Sequence, residues 1–133
     1  MTVPAVLLDT SVLIDVEKVD RGEYSDSAVV VSAVTLGELA YGIGTGDRDA
    51  RELRLRRVLA SYEIVPFGVE EAKFYGVLAE LVRIAGRNPR PRRLDLQIAA
   101  TAAAARLPLL TMNPDDFVGV GTLVDVVPIR HAG

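Results

Sequence analysis

The chain has 133 residues, half of them hydrophobic and a quarter charged, enough material for one domain (residues 1–133) with a real core. It has no cysteine and a single histidine, His131, among its last three residues, which excludes disulfide frameworks, thiolate zinc sites and histidine-based triads. A net charge of −3 and a pI near 5.1 argue at first sight against a nucleic-acid partner. Arginine is nevertheless concentrated locally. Arg83, Arg87, Arg90, Arg92 and Arg93 crowd one stretch with no acid among them, and Arg48, Arg51, Arg54, Arg56 and Arg57 crowd another. A local basic rim binds phosphates whatever the net charge. The first apolar stretch lacks a basic start and is broken by Asp9, and no run approaches roughly 18 apolar residues. Neither a secretory leader nor a membrane span is expected, and a cytoplasmic location follows by exclusion.

Residues 5–8 (AVLL) form an apolar run suited to a buried strand. Thr10 or Ser11 then caps a helix through Val12, Leu13 and Ile14 to about Lys18, and the polar residues 19–27 read as a loop. Residues 28–31 (AVVV) are a β-branched second strand, and Ser32 opens a helix through AVTLGELAYGI that Gly42, Gly44 and Gly46 end. Residues 48–60 set Leu53, Leu55, Val58 and Leu59 among arginines, the pattern of an amphipathic helix.

YEIVPF is a third short strand. The next segment, GVEEAKFYGVLAELVRIAG, spaces Val69, Ala72, Phe74, Leu78, Leu81, Val82 and Ala85 as a helix does. Its acids Glu70 and Glu71 sit in the first turn, Arg83 in the last, and Gly86 terminates it. RNPRPRR is a rigid basic connector. LDLQIAATAAAA is a helix apolar or small nearly all round, hence central and closely packed. LPLLT is a fourth strand, NPDDF a turn, and LVDVVPI a final edge strand broken by Pro128.

Strands alternating with helices predict an α/β fold: a central, mainly parallel sheet flanked by helices on both faces. In such sheets ligands bind beyond the carboxyl ends of the strands. Asp9 follows the first strand, Glu38 lies in the helix after the second, Asp95 opens the small-residue helix, and Asn113, Asp115 and Asp116 follow the fourth strand. Carboxylates massed at one sheet edge repel unless a divalent cation neutralises them, and all-oxygen ligands favour Mg²⁺ or Mn²⁺. Local roles compete with this one. Asp9 can be an N-cap, Glu38 can close a capping box with Thr35 if the helix starts there, and Asp95 can complement its helix dipole. Asp115 and Asp116 are ordinary turn residues. If the acids do collect, the cap passes to Thr10 or Ser11 and Asp9 is free for metal. Such a site, with arginines for the flanking phosphates, suits hydrolysis of RNA or DNA.

The segments LLDTSVLI, SAVTLGELAYG, RRLDLQIAATA and PLLTMNPDDF also carry a family likeness. Together they resemble the PIN domain, and within it the VapC-type toxins of bacterial toxin–antitoxin pairs, from about Val6 to Phe117. The resemblance implies a PIN-like three-layer fold with a central parallel five-stranded sheet. It also implies Mg²⁺- or Mn²⁺-dependent endoribonuclease activity through a metal-activated water. By that likeness Asp9 and Asp95 bind the metal, and Glu38 binds through water or helps to activate it. Asn113 replaces the Asp of some relatives, which leaves Asp116 as the fourth catalytic acid and Asp115 as the fallback. Thr10 and Thr111 orient water or phosphate, and Arg92, Arg93 and Asn113 complete a substrate-binding set. The likeness further implies a homodimer, silencing by a VapB-type antitoxin whose C-terminal segment covers the groove by the site, and a structured RNA substrate such as a transfer or ribosomal RNA. Two other readings stand beside it. One is a PIN-like module that binds RNA or protein without cutting; the other is a phosphotransfer domain with Asp9 as nucleophile, although Ser11 stands where such phosphatases place a second aspartate.

Overall fold

Apolar runs become strands here because helices cover both faces of the sheet they form. The computed structural model describes residues 5–42 and 46–133. In chain order the elements are β1 (Ala5–Leu8), α1 (Thr10–Leu13), β2 (Val19–Asp20), β3 (Ala28–Ser32), α2 (Ala33–Tyr41), α3 (Arg48–Ser61), β4 (Glu63–Val65), α4 (Val69–Ile84), α5 (Arg93–Ala105), β5 (Leu109–Thr111), β6 (Val126–Pro128) and β7 (Arg130–His131). The central sheet has five strands in the order β4-β3-β1-β5-β6. Every pairing in it is parallel, in keeping with the mainly parallel five-stranded sheet expected.

The two-residue alternation of the strands divides the core. Leu7, Val30 and Leu109 face one layer, where they meet Leu78 and Val82 of α4 and Leu96, Ala99 and Ala103 of α5. Val6, Leu8, Val31 and Leu110 face the other, with Val12 and Leu13 of α1, Leu39 of α2 and Val58 of α3. A strand buried on both faces has no polar positions to alternate, which is why AVLL and AVVV read as unbroken apolar runs. The alanines of α5 let that helix approach the sheet and α4 closely; Ile98, Ala99, Ala100, Thr101 and Ala102 are fully buried.

Several boundaries depart from the sequence reading. The first helix does not reach Lys18. It closes at Leu13, Asp15 N–H turns back to the Val12 carbonyl, and a separate 3-10 turn occupies Val16–Lys18. Residues 19–27 are more than a loop, because β2 pairs antiparallel with β7 and Gly22–Tyr24 forms another 3-10 turn. Ser32 caps α2 as expected, its Oγ accepting from Val34 N–H, and Gly42 ends the helix at φ +110, a value that glycine adopts without strain. Ile43 and Gly44 lie outside the described residues, and Gly46 falls beyond the helix.

The apolar stripe of α3 is only partly used: Val58 is buried while Leu53 and Leu59 stay about half exposed, at 48% and 53%. On α4, Leu78 and Val82 are buried and Phe74 and Leu81 half-buried, but Val69, Ala72 and Ala85 are exposed. Glu71 accepts the Gly68 N–H at 2.7 Å, and Gly86, at φ +83, follows the last turn. The third, fourth and last strands are shorter than YEIVPF, LPLLT and LVDVVPI, and Pro128 closes the edge strand β6, where its missing N–H costs nothing. Among the described residues no helix is long and apolar enough to cross a membrane.

Candidate active site

A parallel sheet delivers all its strand ends to one edge, and β1, β3 and β5 lie side by side there. Asp9 follows β1 and is buried, at 4% exposure. It is itself the N-cap of α1, so the cap does not pass to Thr10 or Ser11. Asp9 Oδ1 accepts from Ser11 Oγ at 2.6 Å and from Val12 N–H at 3.1 Å. Capping fixes this carboxylate at the strand-to-helix turn, and its second oxygen takes no part in either bond. Burial pushes the Asp9 carboxyl above its ordinary range, while hydrogen bonds from Ser11, Thr111 and Val12 hold it down.

Glu38 does not close a capping box with Thr35, because α2 starts three residues earlier than that box requires. It accepts instead from Thr10 Oγ1 at 2.8 Å, and the same hydroxyl lies 3.1 Å from Thr35 Oγ1. Thr10 therefore joins the ends of β1 and α2 and orients Glu38.

Asp95 occupies the first turn of α5. Its carboxyl is pushed up to about 6, by burial first and then by the charges of Asp116, Glu38 and Asp9, with Arg92 pulling the other way. Three acids from three other segments thus bear on Asp95. Asp116, in the 3-10 turn Pro114–Phe117 after β5, is held by Arg92 Nη1 at 2.7 Å. The exposed Asp115 lines a groove beside it.

The remaining expected residues separate. Thr111 is fully buried; its hydroxyl oxygen accepts the Asn113 N–H at 2.9 Å and its side chain bonds the Asp9 carboxylate, so what it orients is Asp9. Asn113 is exposed and is tied to Thr111 through its backbone N–H. Arg92 reaches the acids, whereas Arg93 points away, donating to the Arg90 carbonyl at 3.1 Å and lining a different cavity. The sequence reading gave Ser11 no part beyond a cap. Its Oγ donates to Asp9 and accepts Met112 N–H at 3.2 Å, tying the ends of β1 and β5 together. The hydroxyl after Asp-Thr is the signal that points to it.

The donor set suits a hard divalent cation: four carboxylates, hydroxyl oxygens and no sulfur or imidazole. The like-charge crowding that raises Asp95 is what such a cation relieves. Among the described residues no three acids converge closely enough to form a ready cage. Mg²⁺ does not require one, since it keeps several waters and takes one or two carboxylates.

Comparison with known proteins places these features among relatives. A family model described as the PIN domain matches residues 6–122. Ribonuclease VapC5 of Mycobacterium tuberculosis is 34% identical, with 97% of this chain and 98% of the relative covered. Ribonuclease VapC of Rickettsia bellii is 31% identical, with 94% and 98% covered. The crystal structure of VapBC-5 from Mycobacterium tuberculosis, a member of the VapBC family of toxin–antitoxin systems, superposes with a TM-score of 0.70 at 32% identity, covering 96% of this chain and 99% of that one.

Proposed function

Because the chain belongs to the PIN-domain family and, within it, to the VapC ribonucleases, we propose that it is the toxin of a toxin–antitoxin pair and hydrolyses RNA phosphodiester bonds at the pocket of Asp9, Glu38, Asp95 and Asp116. The observation that carries this reading is geometric: a wholly parallel sheet and the helices after its strands bring Asp9, Glu38 and Asp116 from three segments near enough to bear on Asp95 of a fourth.

Asp9 and Asp95 are the residues that would hold Mg²⁺ or Mn²⁺, which when bound supplies charge neutralisation at the phosphate and activation of a water. Ser11, Thr111 and the Val12 N–H fix the Asp9 carboxylate in one orientation. Glu38, aimed by Thr10, accepts the proton of the attacking water. Asp116 keeps Arg92 at the pocket mouth, where its guanidinium meets a flanking phosphate. A phosphotransfer role lacks the second acid it would use, since Ser11 stands two residues after Asp9 and donates to it.

The partner reading follows from the same pocket. Beside Glu38 lies a cavity of about 430 Å³ lined by Val34, Gly37, Tyr41, Leu94 and Gln97, with Tyr41 83% exposed. An apolar segment of a VapB-type antitoxin fits there, next to acids that an arginine of that segment would pair with. A homodimer and a cytoplasmic setting, where transfer or ribosomal RNA is met, complete the proposal.

The deciding experiment is cleavage of RNA with Mg²⁺ by the purified wild type, Asp9→Asn and Asp95→Asn. Each variant is expected to lose on the order of 10²-fold or more in rate while keeping its circular dichroism spectrum. Full cleavage by both would remove the site.

A further inference from the structure

Arg92 and Arg93 are neighbours in sequence but serve different cavities, and the second of these has no part in the chemistry described so far. It holds about 820 Å³ and is lined by Arg83, Arg87, Arg90 and Arg93, with Asn88 and Tyr75. Among the described residues Glu80 is the one acid paired with any of these arginines, 3.1 Å from Arg83. A smaller groove of about 210 Å³ shares Arg87 and Asn88 with this cavity and is lined further along by Arg92, Asp115 and Asp116. The groove therefore links the arginine cavity to Asp116, one of the four acids, alongside the start of α5.

We propose that the arginine cavity is a phosphate-binding exosite that holds a single-stranded flank of the same RNA whose bond lies at the acid pocket. This inference rests on the ribonuclease reading. Four guanidinium groups around one cavity match a run of backbone phosphates, each able to take two parallel N–H···O bonds. Tyr75, half-buried against the core, is the one aromatic in the lining and offers a base a stacking surface, the combination that single-stranded sites use. An acidic peptide would satisfy the arginines but would leave Tyr75 without a ring to meet. The strand would run from the cavity along Arg87 and Asn88 to Arg92, which already stands at the pocket mouth.

The test is binding of a labelled single-stranded RNA oligonucleotide, in an Asp9→Asn background, over about 50 to 200 mM potassium chloride. Arg87→Gln/Arg90→Gln removes two exposed guanidinium groups from the cavity, so the fold survives. Its affinity is expected to fall about tenfold, and its log K against log salt slope to become shallower by about 1.4, roughly 0.7 for each lost phosphate contact. Arg56→Gln/Arg57→Gln makes the same change in net charge on α3 and is expected to move both readings far less. Equal effects of the two double variants would reduce the result to net charge and overturn the exosite. So would an unchanged slope in Arg87→Gln/Arg90→Gln, and so would loss of poly-glutamate binding with RNA binding intact, which would mark an acidic protein segment instead. Binding is read apart from cutting: a wild type that binds through these arginines yet cuts no RNA would break the ribonuclease reading alone, whereas one that cuts while Arg87→Gln/Arg90→Gln keeps its affinity and slope would break this one alone.

Discussion

Asp95 shows how much a single carboxyl is asked to tolerate. Its ordinary pKa is 3.8 and the folded protein pushes it up to about 6. Between those values the native state holds a proton that the unfolded chain has released, so the stability of the metal-free protein falls as pH rises from about 4 to 6. The full penalty applies above that window and none below it. Asp95→Asn removes the charge at nearly constant shape. In EDTA it is expected to be about 1–2 kcal/mol more stable than wild type at pH 7.5 and equal to it at pH 4, read by urea unfolding. Equal stability at pH 7.5 would mean that the pocket does not strain its acids. From sequence, Asp95 was legible as an acid opening a helix, but its strain was not, because that depends on Asp116, Glu38 and Asp9 arriving from elsewhere. Asp9 was half legible. Its place after a strand pointed to the site, yet a cap and a site role looked exclusive, whereas the carboxylate that caps α1 is also the one held at the carboxyl edge of the sheet by Ser11 and Val12. The fourth acid, taken as Asp116 with Asp115 behind it, is the one Arg92 contacts.

At the scale of the element, α5 sets the position of the pocket. It carries Asp95 in its first turn and lies with its alanine face against the sheet and α4, so any displacement of the helix moves the carboxylate. Ala100 is fully buried in that contact. Ala100→Leu adds volume where none is free and is expected to cost about 1–3 kcal/mol in urea unfolding, with RNA cleavage reduced more than the fraction unfolded explains. A loss of stability with cleavage intact would show that the helix absorbs the change without moving Asp95. The same closeness made α5 readable, since a segment of alanine, leucine and isoleucine with few polar positions has no other place than a core. β1 and β3 were readable for the equivalent reason in strands. β2 and β7 were not: two residues carry no periodicity, and Val19–Asp20 becomes a strand only because Arg130–His131 returns to it from the far end of the chain. The helix α3 was legible but its amphipathic face was not borne out: Val58 alone is buried while Leu53 and Leu59 stay half exposed, because burial depends on what packs there rather than on composition.

Over the whole molecule the charges sum to −3, from 15 basic and 18 acidic side chains, and that sum hides their separation. Acids collect at the carboxyl edge of the sheet, while the last turn of α4 and the basic connector after it place four arginines around a neighbouring cavity. The net value argues against a polyanion as partner, and the arrangement argues for one that arrives with a cation for the acid pocket. If that cation is bound by the native fold and not by the unfolded chain, it raises global stability through mass action. At a hundredfold excess of Mg²⁺ over its dissociation constant the gain is about 2.7 kcal/mol, a rise in Tm on the order of 10 °C for a domain of this length. The rise is expected at pH 7.5 and is expected to shrink at pH 5, where Asp95 holds its proton and competes with the metal. Asp95→Asn, already relieved of its repulsion, is expected to start from a higher Tm in EDTA and gain little from Mg²⁺. A wild-type melting temperature unmoved by both Mg²⁺ and Mn²⁺ at pH 7.5 would leave the crowding of these acids without the ion that accounts for it. The pH dependence separates the pocket from the surface, because carboxylates at their ordinary range are ionised at both pH values and would bind the metal equally at each.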